Sequence, residues 1–180
     1  MSQARRDDDE TLLRGARAGD EGALDELIER HHGAAFRVAL GILGNEADAA
    51  DAGQEGLMRA LRALSGFRGE ASFRTWLLAI VANEARSVLR RTARRRETPL
   101  YADTPGPGRA ADEEVALSAE AARARELLAK LPEKQRLAVQ LRIDEGLSFR
   151  EVGEIIRSSE GAARVNYYHG IRRLREWMEK

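Results

Sequence analysis

Residues 148–175 read SFREVGEIIRSSEGAARVNYYHGIRRLR, and this stretch carries the clearest structural pattern of the chain. Ser148 and Glu151 fit a capping box, a sequence that typically opens a helix. Apolar residues follow at helical spacing until a short polar turn at Arg157–Ser159, after which a second helical pattern begins. The stretch therefore predicts a helix-turn-helix, a motif whose second helix lies in the major groove of DNA.

The second of these helices has two different faces. The core-facing positions are Ala163, Tyr167, Ile171 and Leu174. The outer face carries the residues that we predict to contact duplex DNA, which are Arg164, Val165, Tyr168, His169, Arg172 and Arg173. A guanidinium in the first turns, as at Arg164, can pair with a guanine edge, whereas Arg172 and Arg173 suit phosphates. The alternative is an ordinary helical hairpin whose basic face is simply solvated.

Helical periodicity extends over most of the remaining chain, and no alternating strand pattern exceeds a few residues. One gap, at about 97–111, contains three of the four prolines, and proline cannot continue a helix. We therefore predict an all-α fold of two small helical domains joined by a flexible linker. The predicted boundaries are an N-terminal tail at 1–20, a first domain at 21–96, the linker at 97–112 and a second domain at 113–180.

The formal net charge is zero, but residues 67–96 carry eight basic and two acidic side chains, a net charge of +6. Such a local excess suits a polyanion. Aromatic rings lie among these cations, and such rings can stack on unpaired bases while the cations follow the phosphates. The residues that we predict to contact single-stranded DNA are Phe67, Arg68, Trp76, Asn83, Arg86, Arg90 and Arg91. The helical spacing of Phe73, Trp76 and Ile80 equally fits core positions, so at least two of these three are expected to be packed inside.

A third, smaller group is acidic and polar. Asp51, Gln54 and Glu55 stand at i, i+3 and i+4, so one helix face can present them together. Spacing alone favours a solvated face here rather than a binding site.

Composition and motifs exclude several classes of site. The chain has no cysteine, which excludes disulfides and thiolate metal sites. His31 and His32 point about 100° apart on a helix, which makes a poor metal site, and no catalytic or phosphate-binding motif occurs, so we expect no enzyme, cofactor or metal. No apolar run reaches the length of a membrane span and the first residues lack a signal-peptide pattern, so a cytoplasmic protein without membrane insertion is expected.

Two strings resemble a known family, the extracytoplasmic-function sigma factors of bacterial RNA polymerase. DAGQEGLMRALRALSGFRGEASFRTWLLAIVANEAR, at 51–86, resembles the second sigma region. LAKLPEKQRLAVQLRIDEGLSFREVGEIIRSSEGAARVNYYHGIRRL, at 128–174, resembles the fourth. The matching residues of the first string are Asp51-x-x-Gln54-Glu55, Phe67-Arg68-Gly69, Thr75-Trp76-Leu77 and Asn83. Both strings stand in the family's order, with its linker between them.

The resemblance implies a function, an alternative sigma factor that directs promoter-specific initiation, and a role for each group. The face with Asp51, Gln54 and Glu55 would bind the clamp helices of the largest polymerase subunit. The loop at Phe67 and the helix through Asn83 would melt and read the −10 element of promoter DNA, with one base flipped out. Arg86, Arg90 and Arg91 would hold its backbone. The helix at 160–173 would read the −35 element near the flap of the second subunit, and an anti-sigma factor is the further partner implied.

The chain departs from the family pattern at a few positions. Ala79 stands where many members have a basic residue, and His169 stands where an arginine is frequent. Arg164-Val165-Asn166 replaces a commoner basic-Ser-Arg run, so the −35 preference does not transfer from relatives. The alternative function is a stand-alone helix-turn-helix regulator that binds an operator by itself.

Overall fold

The computed structural model describes residues 2–97 and 119–179, and these form eight α-helices and no strand. The helices are α1 (Ser2–Arg17), α2 (Glu21–Leu43), α3 (Glu46–Arg62), α4 (Phe73–Glu97), α5 (Ala119–Ala129), α6 (Glu133–Ile143), α7 (Phe149–Ile156) and α8 (Glu160–Met178). The predicted all-α fold is thereby confirmed. The predicted linker lies outside the described residues except for Glu97, and the domain boundaries stay a prediction.

The first helical unit is a bundle in which α2, α3 and α4 pack on one another. Asp20 and Asn45 cap α2 and α3 through side-chain oxygens that accept backbone N–H groups. Leu27, Leu77 and Leu78 fill the centre, each at most 1% exposed. Three apolar faces meet here, so the bundle buries its core without a sheet.

Helices α3 and α4 pack closely against each other at Gly56. A Cβ built on Gly56 would stand 2.8 Å from the Cα of Val81, closer than real atoms approach. Only glycine fits between the two backbones at this point. The contact sets the distance between the helix with the acidic face and the helix with the basic segment.

The N-terminal tail predicted at 1–20 contains a helix in the described residues. Ser2–Arg17 form α1, which packs on α2, with Leu13 buried at 5% exposure. The buried Asp9 side chain binds His31 of α2, with its Oδ2 3.1 Å from the ring Nε2. The sequence did not predict this packing, because residues 7–10 are all acidic and resemble a solvated segment. The partner of Asp9 is 22 positions away, so local spacing does not indicate it.

The second unit contains the predicted helix-turn-helix, which is confirmed as α7 and α8. Ser148 and Glu151 form both halves of the capping box at the start of α7. Arg157 ends α7 in the left-handed region, at φ 54°, and Ser159 caps α8. A Cβ on Gly153 would lie 2.8 Å from the carbonyl oxygen of Ser158, so the turn folds directly back on α7.

The two units are in contact, with α7 against α4 and α6 against α2. The side chain of Glu145 is only 2% exposed and pairs with two arginines of the first unit. Its Oε1 lies 2.6 Å from Nη2 of Arg37 in α2, and its Oε2 accepts from Nη2 of Arg74 in α4. Arg86 donates to Glu133 at 2.9 Å and to the Ile155 carbonyl at 3.2 Å. Ion pairs and one continuous apolar core therefore hold the units together.

Replacement of Gly56 by alanine tests the α3–α4 contact. The added methyl group has to push the Val81 backbone away, and overpacking of this kind costs about 1–3 kcal/mol of unfolding free energy. Gly161→Ala is the matched control, because nothing lies within 4 Å of its Cβ position in α8. The control should be neutral or stabilising by up to about 1 kcal/mol, since alanine favours helix. Urea unfolding of both variants measures the difference; equal stabilities would refute the close contact.

Replacement of Glu145 by glutamine tests the contact between the units. The amide cannot neutralise Arg37 and Arg74, so breaking this buried pair should separate the units. We expect the radius of gyration in small-angle X-ray scattering to rise while the helix content by circular dichroism stays the same. Glu176→Gln is the control, because Glu176 pairs only across an exposed turn of α8 with Arg172. An unchanged radius for Glu145→Gln would show that the ion pairs do not hold the units together.

Candidate nucleic-acid interface

An aromatic cluster marks the start of the predicted single-strand interface. The ring of Phe67 lies 5.0 Å from that of Trp76 and 5.8 Å from that of Phe73, measured between centroids. Phe73 is buried, whereas Phe67 and Trp76 are half-buried and keep part of their rings accessible. Of the three residues expected to include at least two core positions, Phe73 is buried, whereas Trp76 and Ile80 are half-buried and pack against the core. Phe67 itself stands in the loop at 63–72 that joins α3 to α4.

The other predicted residues of this interface divide into two groups. Arg68, Asn83 and Arg90 are exposed to solvent. Arg91 is exposed as well and pairs with the buried carboxylate of Glu84 at 2.9 Å. Arg86 instead points into the second unit, where its side chain is 13% exposed. Asn83, Arg90 and Arg91 therefore form an accessible surface along α4. The side of α4 that carries Arg86 is covered by α6 and α7.

An open cleft of about 570 Å³ lies beside the aromatic cluster. Its walls come from α1, the 63–72 loop and the start of α7. Phe67 and Phe73 provide apolar surface, and charged groups of both signs line the rest, among them Arg68, Glu70 and Arg150. A cleft with ring faces and donors can hold a planar polar group such as an unpaired base.

The predicted duplex interface lies on α8. All six predicted residues, Arg164, Val165, Tyr168, His169, Arg172 and Arg173, are exposed on its outer side. Arg164 pairs with Glu160 at 3.0 Å, and its guanidinium lies 5.1 Å from the ring centre of Phe149. Arg142 stacks on the same ring at 4.6 Å. Phe149 and Arg142 were missed by sequence reasoning, because only the fold brings α6 and the first turn of α7 to this surface.

The acidic and polar group lies on the outer face of α3. Asp51 and Gln54 are exposed and Glu55 is partly exposed, with the exposed apolar side chain of Met58 beside them. A hydrogen bond from Arg59, together with the charges of Arg62 and Arg91, lowers the pKa of Glu55 below its usual value. Glu55 is therefore held ionised by arginines of its own helix, and this face is not covered by the second unit.

Behind this face lies an ion-pair chain that sequence reasoning missed. Arg59 bonds Glu55 at 2.9 Å and reaches the buried Glu84 of α4 at 2.8 Å. Glu84 in turn pairs with Arg91. The chain connects the acidic face of α3 to the basic end of α4. In the sequence, only the i, i+4 spacing of Glu55 and Arg59 indicates a part of this chain.

None of the helices in the described part of the chain has the length and apolarity of a membrane span.

Two family models match the chain. Sigma-70 region 2 matches residues 27–95, which cover most of α2, all of α3 and most of α4. Sigma-70 region 4 matches residues 121–174, which cover the helix-turn-helix. The two matches therefore coincide with the two helical units and with the two surfaces described above.

Several relatives are named as RNA polymerase sigma factors and match this chain over most of its length. The ECF RNA polymerase sigma factor SigM of Mycobacterium tuberculosis is 33% identical over 156 residues, covering 87% of this chain and 77% of the relative. ShbA of Streptomyces griseus, also an ECF RNA polymerase sigma factor, is 32% identical over 96% of this chain and 99% of its own. The RNA polymerase sigma-H factor of Pseudomonas aeruginosa is 29% identical over 96% and 92%.

Solved structures share the arrangement of helices. CnrH in complex with the cytosolic domain of CnrY superimposes with a TM-score of 0.70 at 25% identity, over 96% of this chain and 97% of that one. RpoE of Bartonella quintana, in complex with the anti-sigma factor NepR, gives a TM-score of 0.74 at 21% identity over 86% and 96%, which shows the fold alone. With both sigma regions matched and relatives above 30% identity along most of its length, the chain belongs to the extracytoplasmic-function sigma factors of the sigma-70 family and has the function of an alternative sigma factor.

Proposed function

We propose that the chain binds core RNA polymerase through the outer face of α3 and positions it on promoters by reading two DNA elements. The observation that carries the proposal is the separation of the two kinds of surface. An acidic face lies on α3, and basic or aromatic faces lie on α4 and α8. One polypeptide can then contact a protein and two stretches of DNA at the same time.

The polymerase contact is assigned to Asp51, Gln54 and Glu55. Asp51 and Gln54 are exposed, and Met58 adds an apolar centre of the kind found in protein interfaces. The partner that fits this chemistry is a basic helical surface, and the family resemblance supports our assignment of this face to the clamp helices of the largest subunit. The start of α8 would lie near the flap of the second subunit.

Recognition of the −10 element is assigned to the 63–72 loop and α4. Phe67 and Trp76 offer partly exposed ring faces, and Asn83 offers an amide that can both donate to and accept from a base edge. Arg68, Arg90 and Arg91 follow the strand through its phosphates. Melting is favoured because the unpaired base gains a stacking surface that the duplex does not offer.

Recognition of the −35 element is assigned to the outer side of α8. The first turns enter the major groove, so Arg164 is the base-reading residue, with Val165 and Tyr168 beside it. Arg172 and Arg173 lie two turns further on and meet phosphates. Phe149 supports Arg164 by stacking, which limits the conformations of the guanidinium before DNA binds.

Full use of α4 requires the two units to separate. Arg86 and Arg74 are occupied by Glu133 and Glu145 of the second unit, so neither can bind phosphate in the closed arrangement. Core polymerase and promoter DNA together would supply the competing surfaces. An anti-sigma factor would act in the opposite sense, by holding the promoter-reading surfaces out of reach.

A stand-alone regulator is the competing function. A regulator of that type needs a symmetric partner or a tight operator contact by itself. Nothing on the described surface resembles a dimer helix, whereas the α3 face suits a large protein partner. Specific footprinting of an operator by the free protein would favour the competing function.

Reversal of the acidic face tests the assigned polymerase contact. Asp51→Lys combined with Glu55→Lys should lower the affinity for core polymerase at least a hundredfold, because like charges then face the clamp. Circular dichroism should stay unchanged, since both residues are at the surface. Asp25→Lys with Glu29→Lys is the matched control, an exposed acidic pair at the same i, i+4 spacing on α2. The affinity for core polymerase is measured by fluorescence anisotropy. A normal affinity of the Asp51→Lys, Glu55→Lys variant would show that this face is merely solvated and does not bind polymerase.

A pair of arginine variants tests the assignments on α8. Arg164→Ala should relax base preference at one −35 position, a loss of about 1–3 kcal/mol of discrimination. Arg173→Ala should weaken binding to all sequences alike and reduce the salt dependence by about one ion. A randomised −35 library with the −10 element fixed, bound by holoenzyme, separates the two effects. An even loss across the library for Arg164→Ala would make it a backbone contact.

A further inference from the structure

Helix α1 has no role in the assignments made so far, yet its last residue reaches the loop that carries Phe67. Nη2 of Arg17 donates to the carbonyl oxygens of Leu64 and Phe67, at 3.2 and 2.5 Å. The guanidinium carbon also lies 5.8 Å from the ring centre of Phe67. One side chain thus contacts the loop backbone at two points and the aromatic ring at a third.

This loop needs an external support. Its only regular element is one 3-10 turn at Leu64–Gly66, and Gly69 follows in the left-handed region at φ 75°. Glycine-rich segments lose much conformational entropy when they are ordered. Hydrogen bonds from a charged donor are among the stronger ones a carbonyl can accept, so Arg17 offsets part of that loss.

The support is itself anchored in the bundle. Leu13 of α1 is buried, and the Asp9 carboxylate lies between His31 at 3.1 Å and Arg30 at 3.2 Å. Burial by itself would raise the pKa of Asp9, but the hydrogen bonds and charges of His31 and Arg30 outweigh it and lower the pKa. The ring of His31 packs edge-on against Phe73, whose centroid is 5.4 Å away. Phe73 also touches Phe67, so α1 and the loop share one aromatic cluster.

The contact lies entirely within the first unit. Arg17, Leu64 and Phe67 all belong to the α1–α4 bundle and its loop. The loop end at Ser72 has a weak contact with the second unit, 3.4 Å from Glu151, which opening would remove. Arg17 of α1 hydrogen-bonds the loop backbone without any part of the second unit.

We infer that Arg17 is a positioning residue for −10 recognition, which fixes the 63–72 loop so that Phe67 is presented to the unpaired base. The inference rests on the proposed function for its DNA readout, but its structural part concerns the free protein. A fixed loop shortens the search for the stacked geometry, so strand opening is faster than with a mobile loop.

Three variants of the full chain test the inference. Arg17→Ala removes the donor, Arg17→Lys restores a charged donor, and Arg14→Ala is the control. Arg14 is exposed in the same last turn of α1 and bonds only Thr11 of its own helix, at 3.3 Å. Hydrogen exchange of the Gly66 and Phe67 amides, which close the 3-10 turn, is measured in the free proteins. Promoter opening is measured with 2-aminopurine in the −10 element and holoenzyme made from each variant.

For Arg17→Ala we expect about tenfold faster exchange of the two loop amides and about tenfold slower opening, with unchanged affinity for core polymerase. Arg17→Lys should recover both to within about threefold, and Arg14→Ala should match the wild type. Slower opening without faster exchange would make Arg17 a direct DNA contact and overturn the inference, as would faster exchange without slower opening. If even wild-type holoenzyme opens no promoter, the proposed function fails; unchanged exchange in Arg17→Ala would then overturn the inference separately.

Discussion

The arrangement of the molecule depends on one buried carboxylate. Glu145 stands between α6 and α7 with its side chain 2% exposed, and its countercharges come from Arg37 and Arg74 of the other unit. A charge removed from water in this way needs close partners, so the second unit is held where both guanidiniums can reach it. Because such a pair also carries a desolvation penalty, it specifies an orientation more than it adds stability.

The same constraint decides which part of the basic segment is accessible. Acidic groups of the second unit cover three donors of α4, which are Arg74, Thr75 and Arg86. The solvent-exposed residues of the basic segment include Arg68, Asn83 and Arg90. A surface that accepts Glu133, Glu145 and Glu151 has the donors that a phosphate backbone would use. One face of α4 is thus suited to two alternative occupants, which links the closed arrangement to the proposed reading of DNA.

Much of the local structure could be predicted from the sequence. The capping box at Ser148 and the polar turn at Arg157–Ser159 are short-range signals, and both are found where the sequence puts them. The exposure of the outer face of α8 follows from helical periodicity, as does that of Asp51 and Gln54. The roles of these residues stay predictions, because exposure makes a contact available without showing its partner.

Contacts between distant residues could not be predicted in this way. Arg74 and Glu145 are 71 positions apart and Arg37 and Glu145 are 108 apart, so no periodicity connects them. The helix at Ser2–Arg17 was hidden because its acidic run gains its partners, His31 and Arg30, only in the folded bundle. Arg86 shows the consequence for the site: its charge suggested a phosphate contact, but its surroundings in the closed form depend on Glu133, 47 positions away.

The two units are closed on each other in the free protein, and we propose that they separate when polymerase and promoter are bound. The chain has no cysteine, so His32→Cys on α2 and Glu176→Cys on α8, both exposed, can carry a donor and an acceptor dye. Single-molecule energy transfer should show one high-transfer population for the free protein and a clear shift to low transfer with core polymerase and promoter DNA. The same high transfer in a complex that initiates transcription would contradict the account.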